Sequence, residues 1–123
     1  MQHKIYHLST CDTCQKILKR INARERDFSL QDIKTDPLTP AQLDELKMLA
    51  GSYEALFSRR SRKYRLWGLH EKALSETDYH DLMLKEYTFL KRPAIIWNNK
   101  LFLGSDEKTI DALVQQLNTR DAS

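Results

Sequence analysis

The sequence predicts an α/β fold in which helices flank a four-stranded mixed sheet and a helical insertion separates the second and third strands. A short β-branched and aromatic run, Ile5-Tyr6-His7, leads into an amphipathic helical segment and then a second alternating run, the order of a βαβ unit. Two apolar runs joined by Asn98-Asn99 predict a β-hairpin, because asparagine tolerates the positive φ angles of tight turns. The long interval between these two patterns is helical in character.

The N-terminal part supplies the parallel half of the sheet. We expect the first strand at His3–His7, the first helix from Asp12 to about Ala23, and the second strand over Arg26–Asp32. A strand, helix and strand within about thirty residues favour a right-handed crossover between parallel strands.

The insertion begins after the second strand and spans about residues 38–88. Thr39 suits the cap of a helix that has Pro40 at its first position, and Gly51 suits its terminator. Further helical segments follow as far as Tyr87.

The C-terminal part supplies the antiparallel half of the sheet. Strands are expected in Arg92–Trp97 and Lys100–Gly104, followed by a helix capped by Ser105 or Asp106. The polar tail 118–123 is expected to fray. A parallel first pair and an antiparallel last pair together predict a thioredoxin-like sheet.

Length and composition are typical of one globular domain covering residues 1–123. The chain has 123 residues, of which 41% are hydrophobic and 30% charged, enough for a single core. The sequence has no apolar run of membrane-spanning length and no apolar N-terminal leader. We therefore expect a cytoplasmic protein, and we expect it to be a monomer. Its two cysteines form no structural disulfide framework, so any disulfide between them is expected to be transient.

The pair Cys11 and Cys14 is the centre of the predicted chemistry. Cys11 lies where the first strand passes into the first helix, and the unpaired N–H groups and positive dipole end of a helix favour a thiolate there. Cys14 lies one turn further on, on the apolar face, which suits a resolving thiol or simple core packing. The C-x-x-C spacing is typical of a thioredoxin-like redox motif.

Other interpretations of these residues remain open. The two cysteines could be helix-terminal residues without chemistry. A zinc site would need two more ligands, and the histidines form no second paired motif, so we expect no metal. His7 could tune Cys11, although a lone histidine at a strand end is more often a packed or surface group.

A basic run covers residues 59–65, with five cationic side chains in seven residues. Such runs are usually solvated faces, but closely spaced like charges repel, which suggests that an anion or an acidic partner offsets some of them. Arginine suits oxyanions because its planar fork donates paired hydrogen bonds. Without a recognition motif beside the run, we expect no direct contact with nucleic acid.

Arg92-Pro93 precedes the third strand, and a proline there belongs at a strand start or in a tight turn. In thioredoxin-like folds the proline at this place is cis and lies against the active cysteine. A cis Pro93 would therefore bring Arg92 beside Cys11. The alternative is an ordinary surface arginine on a loop.

Taken together, the motifs resemble those of the arsenate reductase and Spx family over about residues 3 to 117. The segments that carry the resemblance are Ile5-Tyr6-His7 with Cys11 after three residues, Ser58-Arg59-Arg60-Ser61-Arg62, Trp67-Gly68-Leu69, Lys91-Arg92-Pro93-Ala94-Ile95-Ile96 and Leu103-Gly104.

The resemblance implies roles for individual residues. Cys11 would attack the arsenic of arsenate, Arg60 and Arg92 would neutralise its oxygens, and the helix N–H groups with Thr13 would complete the cradle. Glutathione with glutaredoxin, or thioredoxin, would supply reducing equivalents, and no bound cofactor is implied. The substrate would be a small oxyanion or a mixed disulfide.

Two departures from the glutaredoxin-linked reductases favour a second hypothesis. Those enzymes carry a third arginine near the end of the hairpin, where this chain has Leu101-Phe102-Leu103-Gly104, and they usually lack a cysteine at the position of Cys14. Both features are similar to Spx, a regulator that binds RNA polymerase and uses C-x-x-C as a redox switch. A redox-switched regulator is therefore the alternative to an enzyme.

Overall fold

The computed structural model describes the backbone of residues 3–122 and the side chains of residues 3–118. Its strands and helices, in chain order, are β1 Lys4–His7, α1 Asp12–Arg20, β2 Ser29–Asp32, α2 Pro40–Ala50, α3 Tyr53–Leu56, α4 Arg62–Leu66, α5 Glu76–Lys85, β3 Ala94–Trp97, β4 Lys100–Leu103 and α6 Glu107–Ala122. Short 3-10 turns occupy Ala23–Glu25, Leu69–Glu71 and Tyr87–Phe89. Met1, Gln2 and Ser123 lie outside the described residues, and Ser123 is the last residue of the tail that was expected to fray.

The chain divides into two compact units. One contains the residues up to Lys34 and from Arg92 onward, and the other is Thr35–Lys91. The second unit contains the predicted insertion, about residues 38–88. That the whole chain forms a single domain stays a prediction.

The first unit is built on a mixed sheet with strand order β2-β1-β3-β4. Strands β1 and β2 are parallel, whereas β1 with β3 and β3 with β4 are antiparallel, as predicted. The register aligns Leu30, Ile5, Ile95 and Phe102 across the four strands. Since side chains one register row apart share a face, these four form one apolar row.

Helices α1 and α6 supply the other side of this core. The buried cluster joins Ile5, Ile95 and Trp97 of the sheet to residues of both helices, while Leu30 and Phe102 pack at its edge. These members are Ile17 and Leu18 of α1, Ile21 directly after α1, and Ile110, Leu113 and Leu117 of α6. Their spacing of three and four residues places each set on one helix face.

The second unit consists of short helices with well-defined ends. Thr39 and Gln42 form a reciprocal capping box at the start of α2, and Gly51 ends it in the left-handed region at φ 98°, both as predicted. Buried Phe57 stacks on Phe89 and also contacts the ring of Tyr79. Helix α3 thereby packs next to α5.

Three predicted boundaries are wrong. Helix α1 ends at Arg20 rather than near Ala23, because Asn22 takes a left-handed conformation that asparagine tolerates. Strand β2 begins at Ser29, since Asp27 has φ 62° and interrupts the alternating run. The tail expected to fray from residue 118 is helical to Ala122.

The hairpin is confirmed, since Asn98 and Asn99 both have positive φ, at 51° and 62°. Asp106 caps α6, because its carboxylate accepts the Thr109 N–H at 3.2 Å. Within residues 3–122, no helix is long and apolar enough to cross a membrane.

We predict that Leu113→Ala will destabilise the first unit by about 2–5 kcal/mol, because it removes a fully buried side chain and leaves a cavity. Leu113 is 0% exposed. Urea unfolding measures the change. The control is Met48→Ala, at a residue 83% exposed, which should change the unfolding free energy by less than about 0.5 kcal/mol. Equal effects at the two positions would contradict the core assignment.

Candidate active site around Cys11

Cys11 lies at the junction of β1 and α1, held by the backbone on both sides. Its N–H donates to the Leu8 carbonyl at 3.0 Å, and its carbonyl accepts the Gln15 N–H at 3.1 Å. Cys11 has extended backbone angles and is the residue that immediately precedes α1. The half-exposed sulfur is therefore placed at the end of the helix where unpaired N–H groups are found.

The Cys11 thiolate is stabilised by four contributions that outweigh its burial. Partial burial raises the pKa, but the N–H and thiol of Cys14, the positive charge of Arg92 and the N–H of Thr13 lower it, and the net shift is downward. Hydrogen bonds to the charged form and an opposite charge both favour ionisation. Of the two cysteines, Cys11 is therefore the one that ionises more readily to a thiolate.

Cys14 has the opposite character. It is fully buried, and burial is the main cause that raises its pKa to about 12. The Leu8 N–H opposes this increase, the hydrogen bond and charge of Cys11 add to it, and the charge of Arg92 lowers the pKa slightly. Both cysteines are free thiols. In this state, Cys14 acts as a donor that holds the negative charge on Cys11.

The Arg92–Pro93 peptide bond is cis. Pro93 is buried, and its carbonyl accepts the Gly104 N–H at 2.9 Å, which ties the start of β3 to the end of β4. Arg92 is half-buried, and its charge lowers the pKa of both cysteines. The positive charge of Arg92 thus acts on both thiols, while its predicted role in holding an oxyanion stays a prediction.

The loop between β1 and Cys11 is held by side chains that the sequence did not indicate. Gln15 Nε2 donates to the Leu8 carbonyl at 3.0 Å and lies 3.3 Å from Nδ1 of buried His7. Asp32, at the end of β2, accepts the Ser9 N–H at 3.4 Å. A glutamine within a helix and an aspartate after a strand carry no distinctive sequence signal, so only the structure reveals these contacts.

His7 belongs to this support rather than to the reacting groups. Burial lowers its pKa, partly opposed by the charge of Asp32 and reinforced by that of Arg24. A neutral imidazole can accept the Gln15 hydrogen bond at Nδ1. His7 is therefore a packed histidine, one of the two alternatives left open by the sequence.

Thr13 contributes through its backbone, and its side chain is exposed. Arg60 belongs to the other unit, where it is exposed in the turn before α4. Its predicted role toward Cys11 stays a prediction. Among residues 3–118, no group of three or more His, Cys, Asp or Glu side chains could hold a metal ion.

The basic run is divided by its partners. Arg59 donates to the Glu54 carboxylate at 2.8 Å and to the Tyr79 hydroxyl at 2.9 Å, and Lys63 donates to Glu86 at 2.7 Å. Within residues 35–91, the three other cations of the run are exposed and form no ion pair: Arg60, Arg62 and Arg65. The fold therefore neutralises only part of the run.

We predict that iodoacetamide will alkylate Cys11 selectively, with a pH midpoint below that of free cysteine. The pKa of Cys11 is lowered and that of Cys14 is raised, so Cys11 is the first to become a thiolate as the pH rises. Arg92→Met should move the midpoint to higher pH because it removes a charge that favours the thiolate. The alkylation rate is measured over a series of pH values, and mass spectrometry identifies which cysteine has reacted.

The matched control is Lys16→Met, which removes one positive charge from an exposed position of α1. It should leave the Cys11 midpoint nearly unchanged, since an exposed charge is screened by solvent and salt. Equal shifts in the two variants would show that Arg92 acts only through the net charge of the protein.

Comparison with known proteins gives a consistent assignment. The ArsC family model matches residues 6–113. The global transcriptional regulator Spx of Streptococcus pyogenes serotype M1 is 28% identical over 108 residues, covering 87% of this chain and 81% of that protein. An uncharacterized protein of Haemophilus influenzae is 28% identical over 109 residues, covering 88% of this chain and 95% of that protein.

Solved structures share the fold. Arsenate reductase from Vibrio cholerae superposes with a TM-score of 0.75 at 15% identity, covering 94% of this chain and 97% of the other. An arsenate reductase related protein from Brucella melitensis superposes with a TM-score of 0.69 at 24% identity, covering 91% of this chain and 93% of the other. Identity at this level supports a common architecture, the thioredoxin-like mixed sheet with helices. The family match extends over most of the sequence and includes Cys11, Cys14 and Arg92, and on that basis the chain belongs to the ArsC family.

Proposed function

We propose that this protein is a thiol-dependent reductase in which Cys11 attacks a small oxyanion, with arsenate the first candidate, or a mixed disulfide. The observation that carries the proposal is the stabilised thiolate of Cys11, half-exposed at the start of α1 and acted on by the charge of Arg92. A thiolate is the nucleophilic form of cysteine. Membership of the ArsC family makes arsenate the substrate to test first.

The first chemical step would form a bond between Cys11 sulfur and pentavalent arsenic. The hydroxyl group of hydrogen arsenate takes up one proton from solvent and leaves as water, and arsenic keeps its oxidation state. Arg92 would stabilise the anionic oxygens, with Arg60 as the second predicted cation and the N–H groups of Thr13 and Cys14 as further donors. These N–H groups interact with the Cys11 sulfur in the resting protein.

The second step would be the redox step. The Cys14 thiolate attacks Cys11 sulfur, the sulfur–arsenic bond breaks, and its electron pair stays on arsenic, which becomes arsenite. Two thiols are oxidised to one disulfide, matching the two electrons that arsenic gains. Glutathione with glutaredoxin, or thioredoxin, would then reduce the disulfide in the cytoplasm.

The pKa of Cys14 links the two steps. In the resting state the hydrogen bond and charge of Cys11 help to raise it, and both effects disappear once Cys11 is bound to arsenic and has lost its negative charge. Arg92 and the Leu8 N–H, which lower the pKa of Cys14, remain. Formation of the adduct therefore removes two of the causes of the high Cys14 pKa, while burial, the largest cause, remains.

A second candidate function is a redox-switched regulator that binds RNA polymerase. The supporting observations are the adjacent free thiols of Cys11 and Cys14 and the similarity to proteins named global transcriptional regulator Spx. Disulfide formation would remove the charge on Cys11 and rearrange the first turn of α1. A partner that contacts this turn would then bind the two redox states differently.

We predict that Cys11→Ser will lower arsenate-dependent thiol oxidation by about 10³-fold or more, as expected for loss of a nucleophile. Cys14→Ser should retain adduct formation but make turnover depend on external thiol concentration. NADPH consumption with glutathione reductase and glutaredoxin, or with thioredoxin and its reductase, measures both. If wild-type protein shows normal Cys11 alkylation but no turnover with arsenate or disulfide substrates, the enzyme proposal is wrong.

The regulatory alternative predicts redox-dependent binding to RNA polymerase. Purified polymerase should retain the wild-type protein to different extents under reducing and oxidising conditions, and Cys14→Ser should remove the difference because it cannot form the disulfide. The experiment is a pull-down over a dithiothreitol and diamide series. No binding in either condition would exclude this function.

A further inference from the structure

The side chain of Gln15 ties the first turn of α1 back to the end of β1. Its Nε2 donates to the Leu8 carbonyl at 3.0 Å and lies 3.3 Å from His7 Nδ1. Its backbone N–H donates to the Cys11 carbonyl at 3.1 Å. Helical side chains point toward the N-terminal end of their helix, which brings the Gln15 amide to the loop that carries Cys11. All four residues belong to the first unit.

Hydrogen-bond chemistry fixes the orientation of this amide. The Leu8 carbonyl can only accept, so the group that faces it is the NH₂ of Gln15 and not the amide oxygen. The same NH₂ also faces His7 Nδ1, which accepts from it as a neutral imidazole. Burial is the main cause that lowers the pKa of His7, and this favours the neutral form. Both amide hydrogens of Gln15 are therefore used in one arrangement.

The Leu8 carbonyl does not need Gln15 to be satisfied. It already accepts the Cys11 N–H at 3.0 Å, and one donor is enough to pair a buried carbonyl. The bond from Gln15 is therefore an additional constraint on the direction of this carbonyl. Together with the contact to His7, it holds the chain on both sides of the Leu8 N–H.

The Leu8 N–H interacts with the sulfur of Cys14. Burial dominates the pKa of Cys14 and raises it to about 12, and the Leu8 N–H is the largest effect that opposes burial, ahead of the charge of Arg92. Cys14 in turn donates its thiol hydrogen to the Cys11 sulfur. Leu8, Cys14 and Cys11 thus form a row of hydrogen bonds directed at the Cys11 sulfur.

This N–H remains beside Cys14 after Cys11 has reacted. In the proposed second step, Cys14 attacks the Cys11 sulfur as a thiolate, at a stage when the hydrogen bond and charge of Cys11 no longer raise its pKa. Burial still opposes ionisation, and the Leu8 N–H and Arg92 still favour it. A displaced Leu8 N–H would therefore reduce the population of the Cys14 thiolate.

We propose that Gln15 is a positioning residue for the second nucleophile, which fixes Leu8 so that its N–H stays on the Cys14 sulfur while that sulfur attacks Cys11. This inference rests on the proposed role of Cys14 as the resolving thiol, and it requires neither arsenate nor a second cation. Loss of the Gln15 amide should slow the step carried out by Cys14. The first attack by Cys11 should be unchanged, because the groups that stabilise its thiolate are Cys14, Thr13 and Arg92.

The size of the effect follows from thiol chemistry. If the Cys14 pKa rises by about one unit, its thiolate population falls by about 10-fold at a pH below the pKa. A more basic thiolate is also a better nucleophile, and this recovers about threefold of the loss. The second step should therefore become about threefold slower.

The release of thionitrobenzoate from dithiobis-nitrobenzoate separates the two steps. The Cys11 thiolate attacks the reagent's disulfide, which forms a mixed disulfide and releases one thionitrobenzoate at a rate proportional to reagent concentration. Cys14 then loses its proton to solvent and attacks the Cys11 sulfur. This forms the intramolecular disulfide and releases the second thionitrobenzoate at a rate independent of reagent concentration. The chain has only these two cysteines, so each phase has one source.

Gln15→Met removes both amide donors at nearly the same side-chain length. It should slow the second phase by about threefold, move the pH midpoint of that phase upward, and leave the first phase unchanged. Gln15→Lys again supplies donors to Leu8 and His7 and should restore the wild-type ratio of the two rates. The ratio is compared because the lysine charge acts on both cysteines.

Gln116→Met is the matched control, since it makes the same chemical change at an exposed position of α6 in the same unit. It should change neither phase. If Gln15→Met does not fold, Gln15→Glu provides a second variant of the same size whose carboxylate has no donor. It should also lower the ratio of the second rate to the first.

The outcomes separate this inference from the proposed function. If wild-type protein shows both phases and the Gln15 variants that lack a donor keep the wild-type ratio, the positioning role is wrong and the proposed function stands. Equal slowing of both phases would also contradict it, because Gln15 would then act on the whole loop. If the wild type shows no reagent-independent second phase, Cys14 is not a resolving thiol, and the second step of the proposed reaction falls together with the positioning role.

Discussion

The ionisation of Cys11, on which the proposed chemistry rests, depends on a balance of opposing effects at its sulfur. Burial opposes a charge there, and the N–H groups of Cys14 and Thr13, the Cys14 thiol and Arg92 together reverse that preference. All of these groups lie within one unit and depend on the order of strands that places β3 next to β1. The position of the thiolate therefore follows from the topology of the sheet as much as from the helix.

Two cysteines three residues apart acquire opposite properties because one precedes the helix and the other lies inside it. Cys11 receives hydrogen bonds, whereas Cys14 gives one and is enclosed by the core. In the proposed reaction this asymmetry would make only one cysteine available as a nucleophile at a time. A pair with equal pKa values would compete for the same electrophile.

Local features of the fold could be predicted from the sequence because their causes lie within a few residues. The capping box at Thr39, the left-handed Gly51 and the turn at Asn98-Asn99 each follow from side-chain chemistry or backbone freedom. The position of Cys11 at the start of a helix could likewise be predicted from neighbouring residues. The predicted end of α1 and the predicted start of β2 were wrong because Asn22 and Asp27 adopt positive φ angles. The hydrophobic pattern does not encode these angles.

Long-range partners could not be predicted in this way. The basic run indicated excess positive charge, but the sequence does not show which carboxylates pair with it. Lys63 pairs with Glu86, 23 residues away, and Arg59 pairs with Glu54, 5 residues away. Those pairings depend on how the helices of the second unit pack. The contacts of Gln15 with Leu8 and of Asp32 with Ser9 depend likewise on the meeting of β1, β2 and α1.

The apolar strand β4 bears on the choice between substrates. Where the resemblance implies a third arginine, this chain has Leu101, Phe102 and Leu103, and Phe102 packs against the core of the first unit. Every cation removed from an oxyanion site weakens transition-state stabilisation of a multiply charged substrate. A disulfide carries no such charge and needs only the thiolate and a group to stabilise the departing sulfur, which Arg92 can provide. Strand β4 therefore lowers the expected advantage of arsenate over a mixed disulfide, while the requirement for the Cys11 thiolate is the same for both.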